Sequence, residues 1–348
     1  MATLREIAEK CGVSAMTVSA VLNKRRGAAG PQVRDRILTV VAETGYQAAK
    51  RSRQEVYERQ NTFGVLMAYC DSNSVASDRY FGPILDGIFE AGKRQDQATL
   101  MYITEESWEQ AIAKIPKYFG GRCDGVILML PLITEDVVDS LIKQQMPFVL
   151  VGESRTEKSL SVVDLDNIGA GYTATNYLFE AGHRRIAHFC GDPMHLSSLR
   201  REQGYRKALS DWGVAVDEGL IIPGKYNIPS GYRRMTELLA RNQGDFPTAA
   251  FCADDWIALG VMQAVIESGR KVPEDFSVVG INNNRESVTS QPALTTITNP
   301  LQYIGQGAVD LLMAQIRDGA ASGEKSLLRG ELIVRNSVSS PPGSRNAW

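Results

Sequence analysis

From residue 62 onward, short continuously apolar runs alternate with stretches that are apolar on one helical face. The strand-like runs are Phe63–Tyr69, Leu100–Ile103, Gly125–Leu130, Phe148–Val151, Val162–Leu165, Ile186–Cys190, Ala249–Ala253, Ser277–Ile281 and Thr295–Ile297. Between them lie helical stretches at Ile84–Arg94, Trp108–Phe119, Val137–Gln144, Tyr172–Glu180, Tyr205–Asp211, Tyr232–Arg241, Ile257–Glu267 and Ile304–Ile316. A strand apolar on both faces must be covered on both, and helical crossovers make such strands parallel. About nine strands suffice for two Rossmann-like sheets of ordinary size. Sheets of this kind bind ligands beyond the carboxyl ends of their strands, and two facing sheets enclose a cleft. Candidate ligand segments are therefore Cys70–Phe81, Gly152–Arg155, Gly191–Arg201, Asp254–Trp256 and Asn282–Arg285.

The first 46 residues follow a different pattern. Leu4, Ile7, Ala8 and Cys11 recur at helical spacing until Gly12-Val13 interrupts them. Ser14 is a natural N-cap for a second, short helix, with Val18, Val21 and Leu22 on one face and Thr17, Ser19, Ala20 and Asn23 on the other. Two short helices across a tight turn form a helix-turn-helix. Gly30-Pro31 opens a third helix, Ile37, Leu38, Val40 and Val41 form its apolar stripe, and Gly45 ends it. Residues 47–61 are almost wholly polar and read as a linker.

Charge follows the same division. The chain carries a net −2, yet residues 1–61 hold 11 Lys/Arg against 6 Asp/Glu, leaving 27 against 34 for the rest. A basic head attracts DNA phosphates while an acidic body avoids them. At 348 residues the chain is expected to form two or three domains. No apolar run approaches the ~20 residues a bilayer requires. The acidic, amphipathic start Met-Ala-Thr-Leu-Arg-Glu does not read as a secretory signal. Five scattered cysteines (Cys11, Cys70, Cys123, Cys190, Cys252) show neither zinc spacing nor a disulfide framework, as expected of buried thiols in a reducing cytoplasm.

Thr3-Leu-Arg-Glu-Ile-Ala, Gly12-Val-Ser, Thr17-Val-Ser-Ala-Val-Leu-Asn23 and Gly45-Tyr46 resemble the DNA-binding signature of the lactose-repressor/galactose-repressor family. The resemblance continues through Val163-Asp-Leu-Asp-Asn167, Gly182-His-Arg-Arg-Ile-Ala187, Phe251-Cys-Ala-Asp-Asp255, Ala258-Leu-Gly260, Val278-Val-Gly-Ile281, Pro292-Ala-Leu-Thr-Thr-Ile297 and Leu332-Ile-Val-Arg335. It implies a small all-α helix-turn-helix headpiece (residues 1–46), a hinge (47–61) and an α/β regulatory core (62–348). That core would be periplasmic-binding-protein-like, with two Rossmann-like subdomains. Subdomain one would span about 62–164 and 295–328, and subdomain two about 165–291 and 329–340, with crossovers near 164–167, 291–295 and 328–331. The implied protein is a sequence-specific transcriptional repressor in the bacterial cytoplasm, a homodimer on a pseudo-palindromic operator. A small-molecule effector, a carbohydrate, would sit between the subdomains, and its binding would change operator affinity by linkage.

By the same resemblance, the DNA contacts would come from Thr3, Ser14, Ala15, Met16, Thr17, Ser19, Ala20, Asn23, Lys24, Arg25, Arg26, Arg51 and Arg53. Ala15, Met16 and Ala20 can offer apolar contact to a thymine methyl, whereas Thr17 and Ser19 suit phosphate or sugar. Ala20 stands where the family commonly has Arg or His. Ala48 stands where a Pro is common, and Glu55 where a Leu wedges into the minor groove, which a carboxylate will not do. Effector contacts would be Tyr80, Phe81, His195, Ser197, Arg201, Tyr226, Asp254, Trp256 and Asn282. Aromatic faces would stack on pyranose CH groups, and Arg, Asp and Asn would bond hydroxyls. Asn282 and Gly152 each replace an Asp frequent in the family.

Two other readings compete. Gly169-Ala-Gly-Tyr-Thr-Ala174 fits a dinucleotide fingerprint, with Asp192 further on, and would suit an NAD-binding Rossmann-type enzyme. Asp166-Asn167-Ile168 separates it from its strand where a tight turn is needed. No Ser-His-Asp order, metal cluster or close carboxylate pair is apparent, so neither catalysis nor a cofactor or metal is expected. A solute-binding protein without a DNA role would not need the N-terminal helices.

Overall fold

The computed structural model describes residues 4–22, 29–44, 59–68, 79–129, 146–152, 160–241, 246–318 and 323–342. The chain divides into two units, Met1–Arg59 and Gln60–Trp348. In the first, α1 (Leu4–Lys10), α2 (Ala15–Leu22) and α3 (Pro31–Glu43) close over Ile7, Ala8, Cys11, Val18, Val21 and Ile37. Gly12 follows α1 with φ +61°, a backbone that costs glycine little. Ser14 Oγ accepts from Thr17 N at 3.0 Å and so caps α2. Gly45 lies outside the described residues.

The second unit begins with β1 (Thr62–Ala68), α4 (Phe81–Arg94), β2 (Ala98–Thr104), α5 (Trp108–Ala113), α6 (Ile115–Tyr118), β3 (Gly125–Met129), β4 (Phe148–Val151) and β5 (Val162–Leu165). It continues through α7 (Asn167–Glu180), β6 (Ile186–Phe189), α8 (Leu196–Asp211), β7 (Ile221–Ile222), α9 (Ile228–Ala240), β8 (Ala249–Cys252), α10 (Asp255–Glu267), β9 (Ser277–Asn282) and α11 (Arg285–Thr289). Last come β10 (Thr295–Thr298), α12 (Leu301–Asp318), β11 (Lys325–Leu328) and β12 (Leu332–Ile333). The expected helix at Val137–Gln144 falls outside the described residues.

Two six-stranded sheets result, ordered β11-β5-β4-β3-β1-β2 and β12-β10-β9-β8-β6-β7. All pairings are parallel except β10 with β12. Burial follows the strand period. Phe63, Val65 and Met67 enter the core under α4 and α12, while Leu66 enters the opposite one with Trp108 and Phe119. Three observed strands, β7, β11 and β12, were not expected. The first and last have two residues each, and β11 alternates exposed with half-buried, so none shows a continuous apolar run.

The chain crosses between the two lobes three times. Asp166 links β5 of the first sheet to α7, which packs in the second lobe, and Arg329–Glu331 link β11 to β12. The remaining crossover differs from expectation. Thr295–Thr298 pair with β9 and β12 and belong to the second lobe, so the chain returns to the first lobe at Asn299-Pro300 rather than near 291–295.

Three helix pairs meet through reciprocal glycines. A Cβ at Gly87 would overlap the Gln302 carbonyl and one at Gly305 the Ile84 carbonyl, joining α4 to α12. Gly171 and Gly204 do the same for α7 and α8, and Gly231 and Gly260 for α9 and α10. This accounts for the apparent dinucleotide fingerprint. Gly169 and Gly171 lie inside α7, the first beneath the capping carboxylate of Asp166 and the second against α8.

Candidate DNA-reading helix and effector cleft

In the first unit, α2 turns Val18 and Val21 into the core and leaves Ser14 exposed, with Ala15 and Thr17 half-buried. Ser14 Oγ lies 2.9 Å from Thr17 Oγ1, so these two hydroxyls form one polar cluster at the helix start. Met16, Ser19 and Ala20 fall on the same helix. Thr3, Asn23, Lys24, Arg25, Arg26, Arg51 and Arg53, like Ala48 and Glu55, lie outside the described residues.

The second lobe gathers five expected effector residues. Asp254, 3% exposed, caps α10 by accepting from Ile257 N at 2.9 Å. Burial pushes its carboxyl up to about 6, opposed by that amide and by nearby Arg201. Arg201 is equally buried on α8. Its Nε donates to Asn167 Oδ1 at 2.8 Å and its Nη1 to the Ala253 carbonyl at 2.5 Å. Asn167 Nδ2 donates in turn to Asp164 Oδ2 at 3.0 Å, so a polar chain runs from β5 through the first crossover to Arg201. The Tyr226 hydroxyl is 3.1 Å from Ser197 Oγ, and the His195 ring meets Tyr226 edge-on at 5.9 Å. Burial raises Tyr226 and lowers His195, which favours the neutral form of both. Gly191 is required here, because a Cβ would overlap the Tyr226 ring.

Asn282 sits apart from these, in a turn held from below. Asp255 is fully buried, and its two oxygens accept from Thr296 Oγ1 at 2.6 Å and Asn284 N at 2.7 Å. Burial pushes this carboxyl up to about 7. Arg335 donates to Asn283 Oδ1 at 2.5 Å and to the Leu294 carbonyl at 2.7 Å. These clamps hold Asn282 and Asn283 at φ +112° and +53°, which few residues other than glycine adopt. Asn299 Nδ2 donates to Asn282 Oδ1 at 3.1 Å, tying the turn to the crossover.

Beside this turn a cavity of about 630 Å³ lies between the lobes. It is lined by Arg79, Gly82, Pro83 and Asp86 at the start of α4, by Asn282–Arg285, and by Thr298–Tyr303. Of the expected effector residues it includes Asn282 alone.

Three expectations change. Tyr80 and Phe81 stand edge-on at 5.7 Å and pack against the core of the first lobe, so they are not free cleft walls. One face of Trp256 is taken, since the Arg79 guanidinium lies over it at 5.6 Å. Arg201, expected to bond effector hydroxyls, donates to Asn167 and to the Ala253 carbonyl and so positions both the crossover and the end of β8.

Comparison with known proteins agrees with this geometry. Residues 3–48 match the bacterial regulatory proteins of the lacI family, and residues 175–338 match the periplasmic binding protein-like domain. The HTH-type transcriptional repressor PurR of Histophilus somni is 28% identical over 339 residues, 97% of this chain and 99% of its own. PurR of Pasteurella multocida is 29% identical over 341 residues, covering 98% and 99%. Among solved structures, a complex of the transcriptional regulator CelR with cellobiose has a TM-score of 0.72 at 28% identity, covering 97% of this chain and all of that one. The lac repressor dimer bound to operator and the anti-inducer ONPF has the same fold, with a TM-score of 0.72 at 23% identity, covering 97% and 99%. The chain belongs to the LacI/GalR family.

This LacI/GalR regulator binds DNA through its helix-turn-helix and is modulated by a small-molecule effector. No helix among the described residues is long and apolar enough to cross a membrane, and no group of His, Cys, Asp and Glu among them could hold a metal. Sequence reading missed Asp86, Thr298 and Asn299, and did not single out Arg79 and Asp255 within the candidate segments Cys70–Phe81 and Asp254–Trp256. One signal was available, the run Asn282-Asn283-Asn284, since asparagine tolerates left-handed backbone better than other non-glycine residues. Arg79 carried none.

Proposed function

We propose that this regulator is a cytoplasmic homodimeric repressor whose effector is a carbohydrate bound between the two lobes. Residues 1–46 read the operator, 47–61 form the hinge, and the remainder senses the effector. The observation that carries the carbohydrate reading is the lining of the 630 Å³ cavity. Asn282, Asn283, Asn284, Asn299, Gln302 and Thr298 offer amides and a hydroxyl, flanked by Arg79, Arg285 and Asp86. Amides both donate and accept, as does a sugar hydroxyl, and the volume falls within the range of small-molecule sites. Arg201, Asp254, Tyr226, Ser197 and His195 form a further polar cluster within the second lobe. The CelR–cellobiose complex, 28% identical, supports the same class.

The mechanism follows from linkage. An effector that binds one arrangement of the lobes more tightly must alter operator affinity by the factor by which operator alters its own. The chain Asp164–Asn167–Arg201 gives one material route, because a ligand pulling on Arg201 also pulls on the first crossover. The test is a thermal-shift screen of the full-length protein against mono- and disaccharides, cellobiose included, with nucleobases as controls. At 100 times Kd a ligand adds about 2.7 kcal/mol, a rise of several degrees. We expect a saccharide to produce it and Arg201→Lys to abolish it. A nucleobase that stabilises the protein when no saccharide does would overturn the carbohydrate assignment.

A further inference from the structure

Among the described residues, one ion pair joins the two lobes across the cleft. Arg79, just before α4 of the first lobe, meets Glu286 in α11 of the second. The same guanidinium lies over the Trp256 ring at the start of α10, 5.6 Å from its centroid. We propose that Arg79 is a cross-cleft latch, an internal occupant of the effector site that a bound effector displaces. This rests on the reading of the cleft as the effector site.

Three observations carry the inference. First, the remaining Glu286 oxygen, Oε2, is buried without a hydrogen-bond partner among the described residues, and among them Arg79 is the cation paired with this carboxylate. Second, Arg79 lines the 630 Å³ cavity and holds its guanidinium over one face of Trp256. A ligand stacking there and the latch are alternatives. Third, the side chains of Arg79 and Glu286 are 46% and 27% exposed. Water reaches the pair, so it biases the lobes without locking them, by roughly two- to five-fold as partly exposed pairs do. A latch of that strength holds the empty core in one arrangement and yields to a ligand. The stacked guanidinium adds a modest cation–π attraction in the same direction.

The test needs no effector and no DNA. Acrylamide quenching of Trp256 in the full-length protein is read as the difference between each chain and its Trp256→Phe counterpart. Arg79→Gln, Glu286→Gln and the double variant are compared with the parent, and melting curves verify that each folds. We expect each single variant to raise the quenching constant roughly two-fold or more, with the double variant rising no further, because one contact is being removed. Glu286→Gln is the decisive chain, since it acts on Trp256 through Arg79. Parental quenching in that variant, or a double variant showing the full product of the single effects, would overturn the latch. A failed saccharide screen would leave this result standing, so the two readings fail separately.

Discussion

The two lobes share one plan, a six-stranded sheet between helices with glycine-notched helix pairs, but they bury different chemistry. Among the described residues the first lobe buries few polar side chains, namely Thr104, Ser161, Asp164 and Gln315. The second buries Arg201, Asp254, Asp255, His183 and His188, together with Asn167 and a series of Ser and Thr residues. All three histidines of the chain belong to the second lobe. A satisfied polar network in a low-dielectric interior rigidifies what it connects. The second lobe therefore carries a preformed polar network, while the described part of the first is mainly apolar inside and brings polar side chains to the cavity at Arg79, Asp86 and Gln302.

The strongest challenge to this contrast is Asp255→Ala. It removes the acceptor of both Thr296 Oγ1 and Asn284 N. Stranding buried donors costs roughly 1–3 kcal/mol, so a loss of about 2 kcal/mol in urea denaturation is expected, with release of the Asn282–Asn284 turn. A loss below about 0.5 kcal/mol would show that the network does not stiffen the lobe.

The first lobe should respond in the opposite sense. Gln315, 2% exposed on α12, has no hydrogen-bond partner among the described residues for either end of its amide. An unpaired buried amide is costly, and Met has nearly the same shape without the polar atoms. Gln315→Met should raise stability by about 1 kcal/mol. Destabilisation instead would mean that the amide is satisfied and that the first lobe depends on polar contacts as the second does.

How far the sequence revealed this contrast varies by region. The headpiece was legible because its signals are local: Ser14 three residues before the amide that donates to it, Gly12 at a helix end, and a single face of Val18 and Val21. The strands were legible where both faces are apolar, as in β3, and not where an edge strand such as β11 alternates. In the second lobe, Asp254, Arg201, Ser197 and Tyr226 were singled out through family resemblance. Asp255 was passed over because its carboxylate points into the lobe, beneath a turn that comes some thirty residues later. The pairing of Arg79 with Glu286 joins parts of the chain more than 200 residues apart. Such juxtapositions depend on how the lobes fold toward each other, which no local periodicity encodes. The Gly-x-Gly of α7 shows the converse, a motif whose spacing suits phosphate binding but whose glycines serve helix packing.

The smallest expected effect is a pH dependence confined to the second lobe. Burial holds His183 and His188 down to about 4, against an ordinary 6.5. As pH falls below 6.5 the unfolded chain takes up protons that the folded one refuses, so stability present above 6.5 is lost on the way to about 4. Asp254 and Asp255 act in reverse. Their folded values of about 6 and 7 lie above the usual 3.8, so they stabilise fully below 3.8 and that contribution is lost as pH rises through 6 and 7. Between pH 6.5 and 4 the two pairs oppose each other, and the denaturation midpoint of the parent should change little on their account. His188→Phe removes one side of the balance while keeping a ring between Tyr205 and Phe251. Its midpoint, relative to the parent, should rise as pH is lowered from 7 to 5. A midpoint that tracks the parent at both pH values would show that His188 is protonated in the folded chain, and that the interior of the second lobe is far less desolvated than its packing implies.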